Sequence, residues 1–428
     1  MIVVIGGGIA GVTAALEAAE AGYDVTVVEK NPYLGGRVAQ LHQYFPKLCP
    51  PYCGLEINFR RIKDNPRIRV HTLAEVERIA GGPGNFEVTV RLAPRYVNDR
   101  CTACNACVPV CPVERPNAFN LGIGTTKAIY LAHALAFPMK YAIDDSTCRL
   151  TECARCVEAC GYGAIDLTMK PRTITLGAGA VIVATGWKPY DAGRIDNLGF
   201  GVYPDVVTNV MMERMAAPDG PTGGRIVRPS SGQAVRSAVF VQCAGSRDVL
   251  HLGYCSGICC LASLKQATYL RERNPDSRAH VFYIDLRTPG TYGFFAKKVL
   301  SDPRITVQRG KVARVGADPV TGQLVVEAED VLAGEKVKLA VDLVVLATGM
   351  VSNLAGGAPG LPLALDRDGF VIDAPSTAGI FAAGCAKGPF DVATSVQDAT
   401  AAAALAIETI VTAARTTPTP TLPARGRE

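Results

Sequence analysis

Cysteine is the residue type whose spacing says most about chemistry in this chain. YCSGICC, residues 254–260, carries Cys255, Cys259 and Cys260, and Cys243 lies just upstream in FVQCAGSRD. Four thiols so gathered can ligate metal as thiolates or pack as small hydrophobes, and adjacent Cys259 and Cys260 beside two more favour ligation. An earlier pattern is more regular. CTACNACVPVCP sets Cys101, Cys104, Cys107 and Cys111 at C-x2-C-x2-C-x3-C-P, a spacing in which three close thiolates face one [4Fe–4S] cubane and the fourth reaches a second. Cys148, Cys153, Cys156 and Cys160 repeat it with x4 as the first gap. On that pattern the fourth ligands exchange: Cys160 joins Cys101, Cys104 and Cys107, while Cys111 joins Cys148, Cys153 and Cys156. Zinc would need only four ligands and seldom uses the x3-C-P ending. Cys49 and Cys53, in KLCPPYCGLE, stay open between a redox pair, extra ligands and packing, and Cys385 has no partner in sequence.

A second constellation opens the chain. Ile2–Ile5 reads as a short buried strand, Gly6-x-Gly8-x-x-Gly11 as a turn, the run to Ala21 as a helix, and DVTVVEK as a strand ending on Glu29, 18 residues past Gly11. This is the dinucleotide-binding unit. Gly6 permits the turn, Gly8 lets amides approach a pyrophosphate at the helix N-terminus, Gly11 lets helix and strand pack, and Glu29 holds a ribose hydroxyl.

Composition narrows the function classes. The 428 residues are 48% hydrophobic and 19% charged, with a net charge of +5, which fits a globular chain of two or three domains and gives nucleic-acid binding no support. The N-terminus has neither a charged leader nor a cleavage site, and no stretch approaches the roughly 18–20 apolar residues of a membrane span. The expected setting is cytoplasmic, where the fifteen cysteines would be reduced thiols or metal ligands. The five histidines (His42, His71, His133, His251 and His280) are scattered and read as structural.

Four dispersed motifs resemble the glutathione and thioredoxin reductase-like flavoproteins: the glycine turn; NPYLGGRVAQ with Gly36 and Arg37; two apolar strands ending in Ala-Thr-Gly (Ala184, Thr185 and Gly186, then Gly349); and the closing AGIFAAGCAKGPFDVATSVQDAT. The resemblance implies FAD. It places Lys30 and Arg37 near the phosphates, Val76 at the adenine through its backbone, and Gly384 and Cys385, where the superfamily usually has Gly-Asp, with Lys387 at the flavin end. The domain expected between the Ala-Thr-Gly strands is a second Rossmann-like unit for a nicotinamide cofactor. Its first strand, SAVFVQ, runs into Cys243 instead of a glycine-rich phosphate turn.

The long stretches GGRVAQLHQYFPKLCPPYCGLEINFRR, TKAIYLAHALAFPMKYAID and VQCAGSRDVLHLGYCSGICCLASLKQATYLRE resemble the heterodisulfide reductase A-like flavoproteins, and within them the A-type subunits of quinone-interacting membrane-bound oxidoreductases. That resemblance implies an FAD and iron–sulfur electron-transfer subunit, with a third cluster at Cys243, Cys255, Cys259 and Cys260. The implied partners are adenylylsulfate (APS) reductase, a second flavoprotein/iron–sulfur subunit and a membrane cytochrome b-like subunit, with the chain held peripherally at the inner face of the cytoplasmic membrane. Competing readings are a bifurcating heterodisulfide reductase A-like protein, an NAD(P)H-dependent disulfide reductase, which lacks its nicotinamide loop here, and a scaffold with structural clusters.

The expected fold class is α/β: a glutathione/thioredoxin reductase-like FAD domain, a second Rossmann-like domain and an inserted ferredoxin-like α+β domain. FAD-domain pieces are expected at 1–94, 171–225 and 341–412, the insert with two [4Fe–4S] clusters at 95–170, the cysteine-bearing Rossmann-like domain at 226–340, and a disordered tail at 413–428.

Overall fold

Short runs of valine and isoleucine alternate with alanine-rich helical segments, a pattern that suits parallel strands covered on both faces. The computed structural model describes residues 1–372 and 378–416. The chain begins β1 (Ile2–Ile5), α1 (Ile9–Glu20), β2 (Val25–Glu29), α2 (Tyr52–Asp64), β3 (Ile68–Thr72), β4 (Ala74–Gly82) and β5 (Asn85–Leu92). The insert contributes β6 (Glu114–Pro116), β7 (Thr125–Lys127), β8 (Ile129–Tyr130), β9 (Ala142–Ile143) and α3 (Arg155–Glu158). Then follow β10 (Arg172–Ala178), β11 (Ala180–Val183), β12 (Trp187–Pro189), β13 (Val206–Thr208), α4 (Asn209–Ala216), β14 (Ser237–Ala244), α5 (Cys259–Arg273), β15 (Arg278–Tyr283), α6 (Tyr292–Leu300) and β16 (Ile305–Arg309). The chain closes with β17 (Val312–Ala317), β18 (Leu324–Asp330), β19 (Glu335–Val341), β20 (Leu343–Thr348), β21 (Met350–Ser352), β22 (Ile380–Ala382) and α7 (Val392–Thr416).

The first unit is built on a parallel sheet in the order β22-β11-β1-β2-β3. β1 is its centre, with Ile2–Ile5 in register with Val25–Val28 on one side and Ala180–Val183 on the other. Both faces are buried, so four consecutive apolar residues replace the usual alternation. α1 and α7 pack through Ala14, Ala15, Ala18, Ala399, Ala402, Ala403 and Ala406, all in the same core, and methyl-sized side chains let the two helices approach closely. The antiparallel sheet β10-β5-β4 carries the insert. Leu92 pairs with Arg172, so the chain leaves and re-enters the host sheet at neighbouring points.

The second unit has its own parallel sheet, β13-β20-β14-β15-β16, with the antiparallel β17-β18-β19 beside it. Its limits differ from those expected. The expected boundaries put β13 and α4 in the second FAD piece and β20 in the last, yet Val206–Thr208 pairs with Val344–Leu346, and β20 in turn pairs with β14. The reason is burial: β20 is covered on both faces and completes its hydrogen bonding only between two parallel neighbours. The antiparallel ribbon β12–β21 pairs the two segments that follow β11 and β20, and so links the units. Residues 413–416, expected in the disordered tail, form the end of α7, and the rest of that tail lies outside the described residues. Among the described residues no helix is long and apolar enough to cross a membrane.

Candidate functional site

A cleft of about 590 Å3 opens where β1, β2 and β11 end. The three motif glycines meet different demands there. A Cβ on Gly6 (φ +106°) would stand 2.2 Å from the Ala184 carbonyl oxygen, and one on Gly11 would stand 1.8 Å from the Gly6 carbonyl oxygen. At Gly8 nothing lies within 4 Å, so the turn keeps open space at the residue that caps α1. Glu29 is buried at the end of β2. Its Oε2 accepts from the Gly7 amide at 2.6 Å, and its Oε1 accepts from the Asn31 amide and side chain at 2.7 Å each. Burial raises its pKa, opposed by those same donors.

Gly6, Gly8, Glu29, Lys30, Gly36, Arg37, Val76, Ala184, Thr185, Gly186 and Cys385 line this one cleft. Arg37 donates to the Trp187 carbonyl and to Gln40 Oε1. Thr185 Oγ1 is buried without a hydrogen-bond partner among the described residues. An open glycine turn at a helix N-terminus, a buried acid and an orphaned hydroxyl are what a bound dinucleotide would need, and the residues fit FAD.

Three expected cofactor-site residues do not line the cleft. Gly11 sits behind the turn as the packing residue its spacing predicts. Gly349 belongs to the second unit, where its Cβ would meet Ser246 Oγ at 2.2 Å and Ser256 Oγ at 2.9 Å. Gly384 turns away from the lining, and its amide donates to Asp398 at 2.8 Å. Lys387, expected at the flavin end, is exposed and pairs with the same Asp398. The second Ala-Thr-Gly motif misled because the same strand ending serves either unit, and only the pairing of β20 assigns it.

Part of the cleft wall has no counterpart in the sequence motifs. Arg115, Phe119, Thr126 and Tyr130 reach it from the insert. Arg95 fixes that wall in place, its buried guanidinium donating to the Pro32 carbonyl, Thr72 Oγ1 and the carbonyls of Lys140 and Tyr141. Burial lowers its pKa to about 10. The aromatic and basic residues of ERPNAF and TTKAIY are the only signal of it in the amino-acid order.

Within the insert the eight cysteines fall into two hollows. One is lined by Cys101, Cys104, Cys107 and Cys160, the other by Cys111, Cys148, Cys153 and Cys156. Left-handed residues at Ala103, Asn105, Leu150 and Ala154 bend the loops around them. The amides of Leu150 and Ala164 point at Cys148 and Cys160 sulfur, each at 3.3 Å. Burial, reinforced by the neighbouring thiols, pushes Cys107 up to about 12 and Cys156 to about 11. Among the described residues no three potential ligands close around a single metal ion. The four-thiol hollows are thus not closed around one zinc ion, and four cysteines per hollow is the donor set that a [4Fe–4S] cubane would take.

The third cysteine set gathers at the end of β14. A register shift after Val241 and a left-handed Cys243 (φ +55°) turn that thiol out of the strand. Cys259 and Cys260 begin α5, both buried. Burial pushes Cys243 up to about 11, and Cys259 is raised by burial and then by Cys243, Cys260 and Cys255. All four thiols thus share one neighbourhood. Beside them the Gln242 amide and Ser246 Oγ are buried without partners among the described residues. Cys49 and Cys53 join none of these groups; both are exposed.

Residues 2–52 match the FAD-dependent oxidoreductase family. The A-type iron–sulfur subunit of CoB–CoM heterodisulfide reductase from Methanocaldococcus jannaschii is 41% identical over 416 residues, 94% of this chain and 63% of that protein. Its counterpart in the ferredoxin/F420H2-dependent enzyme from Methanosarcina acetivorans is 40% identical over 427 residues, 96% of this chain and 53% of that protein. Over nearly its whole length this chain is similar to the A-type subunits of heterodisulfide reductases, and its N-terminal segment to FAD-dependent oxidoreductases. It spans between half and two thirds of the length of these curated relatives. The fold is also similar to thioredoxin reductases of T. acidophilum (TM-score 0.54, 14% identity, 97% of this chain and 98% of that one) and Lactococcus lactis (TM-score 0.53, 14% identity, 96% and 99%).

In this chain α4 clamps the units together. Glu213 and Lys265, each 3% exposed, pair at 2.9 Å. Glu213 also accepts from the His42 amide, Gln266 and Tyr269, while Lys265 donates to the Gln43 carbonyl. Next to it Arg214 donates to Asn120 Oδ1 at 2.9 Å and covers the Phe119 ring. Phe119 closes the circuit by accepting from Gln40, the partner of Arg37. One buried network thus joins the cleft, the insert and the second unit.

Proposed function

We propose that this chain is the FAD and iron–sulfur electron-transfer component of a membrane-associated complex that links the quinone pool to adenylylsulfate reductase, in the manner of the A-type subunits of quinone-interacting membrane-bound oxidoreductases. The observation that carries the electron-relay reading is Cys243: the strand that would lead into a nicotinamide phosphate turn ends instead on a left-handed cysteine beside Cys255, Cys259 and Cys260. The glycine turn and Glu29 would hold FAD, and the three cysteine sets would each hold a [4Fe–4S] cluster. Flavin exchanges electrons singly or in pairs whereas a cubane carries one at a time. The chain's own contribution is positional. Gly8 leaves room for the pyrophosphate, Glu29 orients the ribose, amides directed at Cys148 and Cys160 adjust the sulfur environment, and the α4 network keeps the units from sliding apart.

A second reading is supported by the relatives' names. H2/formate:CoB–CoM heterodisulfide,ferredoxin reductase of Methanococcus maripaludis includes an A-type subunit that is 38% identical to this chain, and a bifurcating role would use the same FAD and cluster residues. Two measurements test these readings. Iron and flavin in anaerobically purified protein should come to about twelve irons and one FAD per chain, falling by about four irons in Cys259→Ser. About eight irons, unchanged in Cys259→Ser, would remove the third cluster. The native complex should then pass electrons between a quinol and adenylylsulfate reductase; failure there, with ferredoxin reduced instead, would favour the second reading.

A further inference from the structure

Arg115 stands on β6, four residues past Cys111, and belongs to no cysteine motif. Its side chain is 9% exposed. It lines the dinucleotide cleft together with its cross-strand partner Thr126 and with Tyr130. The guanidinium carbon lies over the Tyr130 ring, 4.2 Å from its centroid. Arg115 Nε lies 3.2 Å from Asp144 Oδ2 but is not aligned to donate to it. A guanidinium shielded from water and only partly matched by its carboxylate gains most from a further anionic or planar partner.

Asp144 in turn shapes the second cysteine hollow. Its carbonyl accepts from the Cys148 amide at 3.0 Å, its own amide donates to Ala128, and its Oδ1 accepts from both the Ser146 amide and hydroxyl. It therefore builds the turn that delivers Cys148. At the other end of the hollow, β6 emerges directly from Cys111, whose thiol lies 3.7 Å from the Val113 carbonyl. Both ends of the Arg115–Asp144 pair are thus tied to the hollow of Cys111, Cys148, Cys153 and Cys156.

We infer that Arg115 is a dinucleotide-binding residue supplied by the insert, and that through Asp144 it couples occupancy of the FAD cleft to the integrity of the Cys111/Cys148/Cys153/Cys156 site. The inference rests on the FAD reading of the cleft and extends it. Because coupling between two sites is reciprocal, FAD should protect that cluster and the cluster should tighten FAD.

The test uses the full chain with its clusters intact, reversibly stripped of flavin. FAD is titrated back by the quenching of its fluorescence, and in parallel the release of iron to a chelator is timed with and without FAD. Arg115→Gln should weaken FAD binding by about tenfold or more, as loss of a charge-assisted contact would. Arg115→Lys should fall between it and the wild type. Glu114→Gln, changed on the exposed side of the same strand, should match the wild type and so report intact folding. FAD should slow iron release in the wild type and fail to do so in Arg115→Gln. Wild-type affinity in Arg115→Gln, or equal protection by FAD in both proteins, overturns the inference while leaving the FAD reading standing. A wild-type chain that binds no FAD overturns both.

Discussion

Glu29 Oε2 receives the Gly7 amide at 2.6 Å, across 22 residues of chain. The end of β2 is thereby fastened to the glycine turn through a side chain, in addition to the strand pairing of β1 and β2. With Asn31 supplying two more donors, the carboxylate is aligned by the protein alone, so any hydroxyl it is to receive meets an acceptor organised in advance. Glu29→Gln replaces one acceptor oxygen with a donor that faces either the Gly7 amide or Asn31. FAD binding should weaken by about tenfold or more in that variant, measured by flavin fluorescence quenching, and Asn31→Ala should give a smaller loss.

The glycines separate folding from binding. At Gly11 an alanine methyl would collide with the Gly6 carbonyl, whereas at Gly8 it meets no protein atom within 4 Å. Gly11→Ala should therefore cost about 3 kcal/mol or more of stability, since backbone cannot yield as a side chain can. Gly8→Ala should cost less than about 1 kcal/mol and yet lose most of its flavin, because its methyl would occupy the space beside the turn's amides. Urea denaturation and bound-flavin content on the same two proteins check both halves.

His133 gives the contact between insert and cleft a pH dependence. It stacks on Phe119 at 4.7 Å and meets Tyr33 edge-on at 5.3 Å. Burial lowers its pKa to about 4. A base whose folded pKa lies below its unfolded value takes up its proton mainly after unfolding. Its contribution is therefore whole above about pH 6.5 and is lost as pH falls towards 4, by about 3 kcal/mol in total. His133→Phe should remove that slope from stability measured between pH 7 and 4.5 while leaving the neutral-pH value nearly unchanged.

The parts legible in the amino-acid order were those whose geometry is local. Gly6, Gly8 and Gly11, and the runs that begin at Cys101 and Cys148, act through neighbours a few residues away, so spacing translates directly into shape. Gly349 was misplaced because strand pairing decides its unit, and Val206 finds Val344 only across the folded chain. Arg115, Arg95 and the Glu213 network carried no motif at all. Each satisfies buried polar groups on segments that fold elsewhere, and only packing brings those groups together.

Glu213 and Lys265 should be strongly coupled. Each is nearly closed off from solvent, so removing one partner leaves an uncompensated charge. Lys265→Met should destabilise by about 3–5 kcal/mol. Glu213→Gln/Lys265→Met together should recover a large share of that loss, and the cycle read from chemical denaturation gives the coupling. The same single variant also frees the Gln43 carbonyl. Alkylation of Cys49, on the loop that Gln43 anchors, should therefore be faster in Lys265→Met than in the wild type.

The two hollows of the insert draw their fourth thiols from opposite motifs, Cys160 beside Cys101, Cys104 and Cys107, and Cys111 beside Cys148, Cys153 and Cys156. Sequence proximity would pair them the other way, and iron counting in double variants distinguishes the arrangements. Cys160→Ser with Cys107→Ser strikes a single hollow and should remove one cluster, about four irons. Cys160→Ser with Cys156→Ser strikes both and should remove about eight, although these two residues belong to one motif. If ligands were shared within motifs, the two results would be reversed.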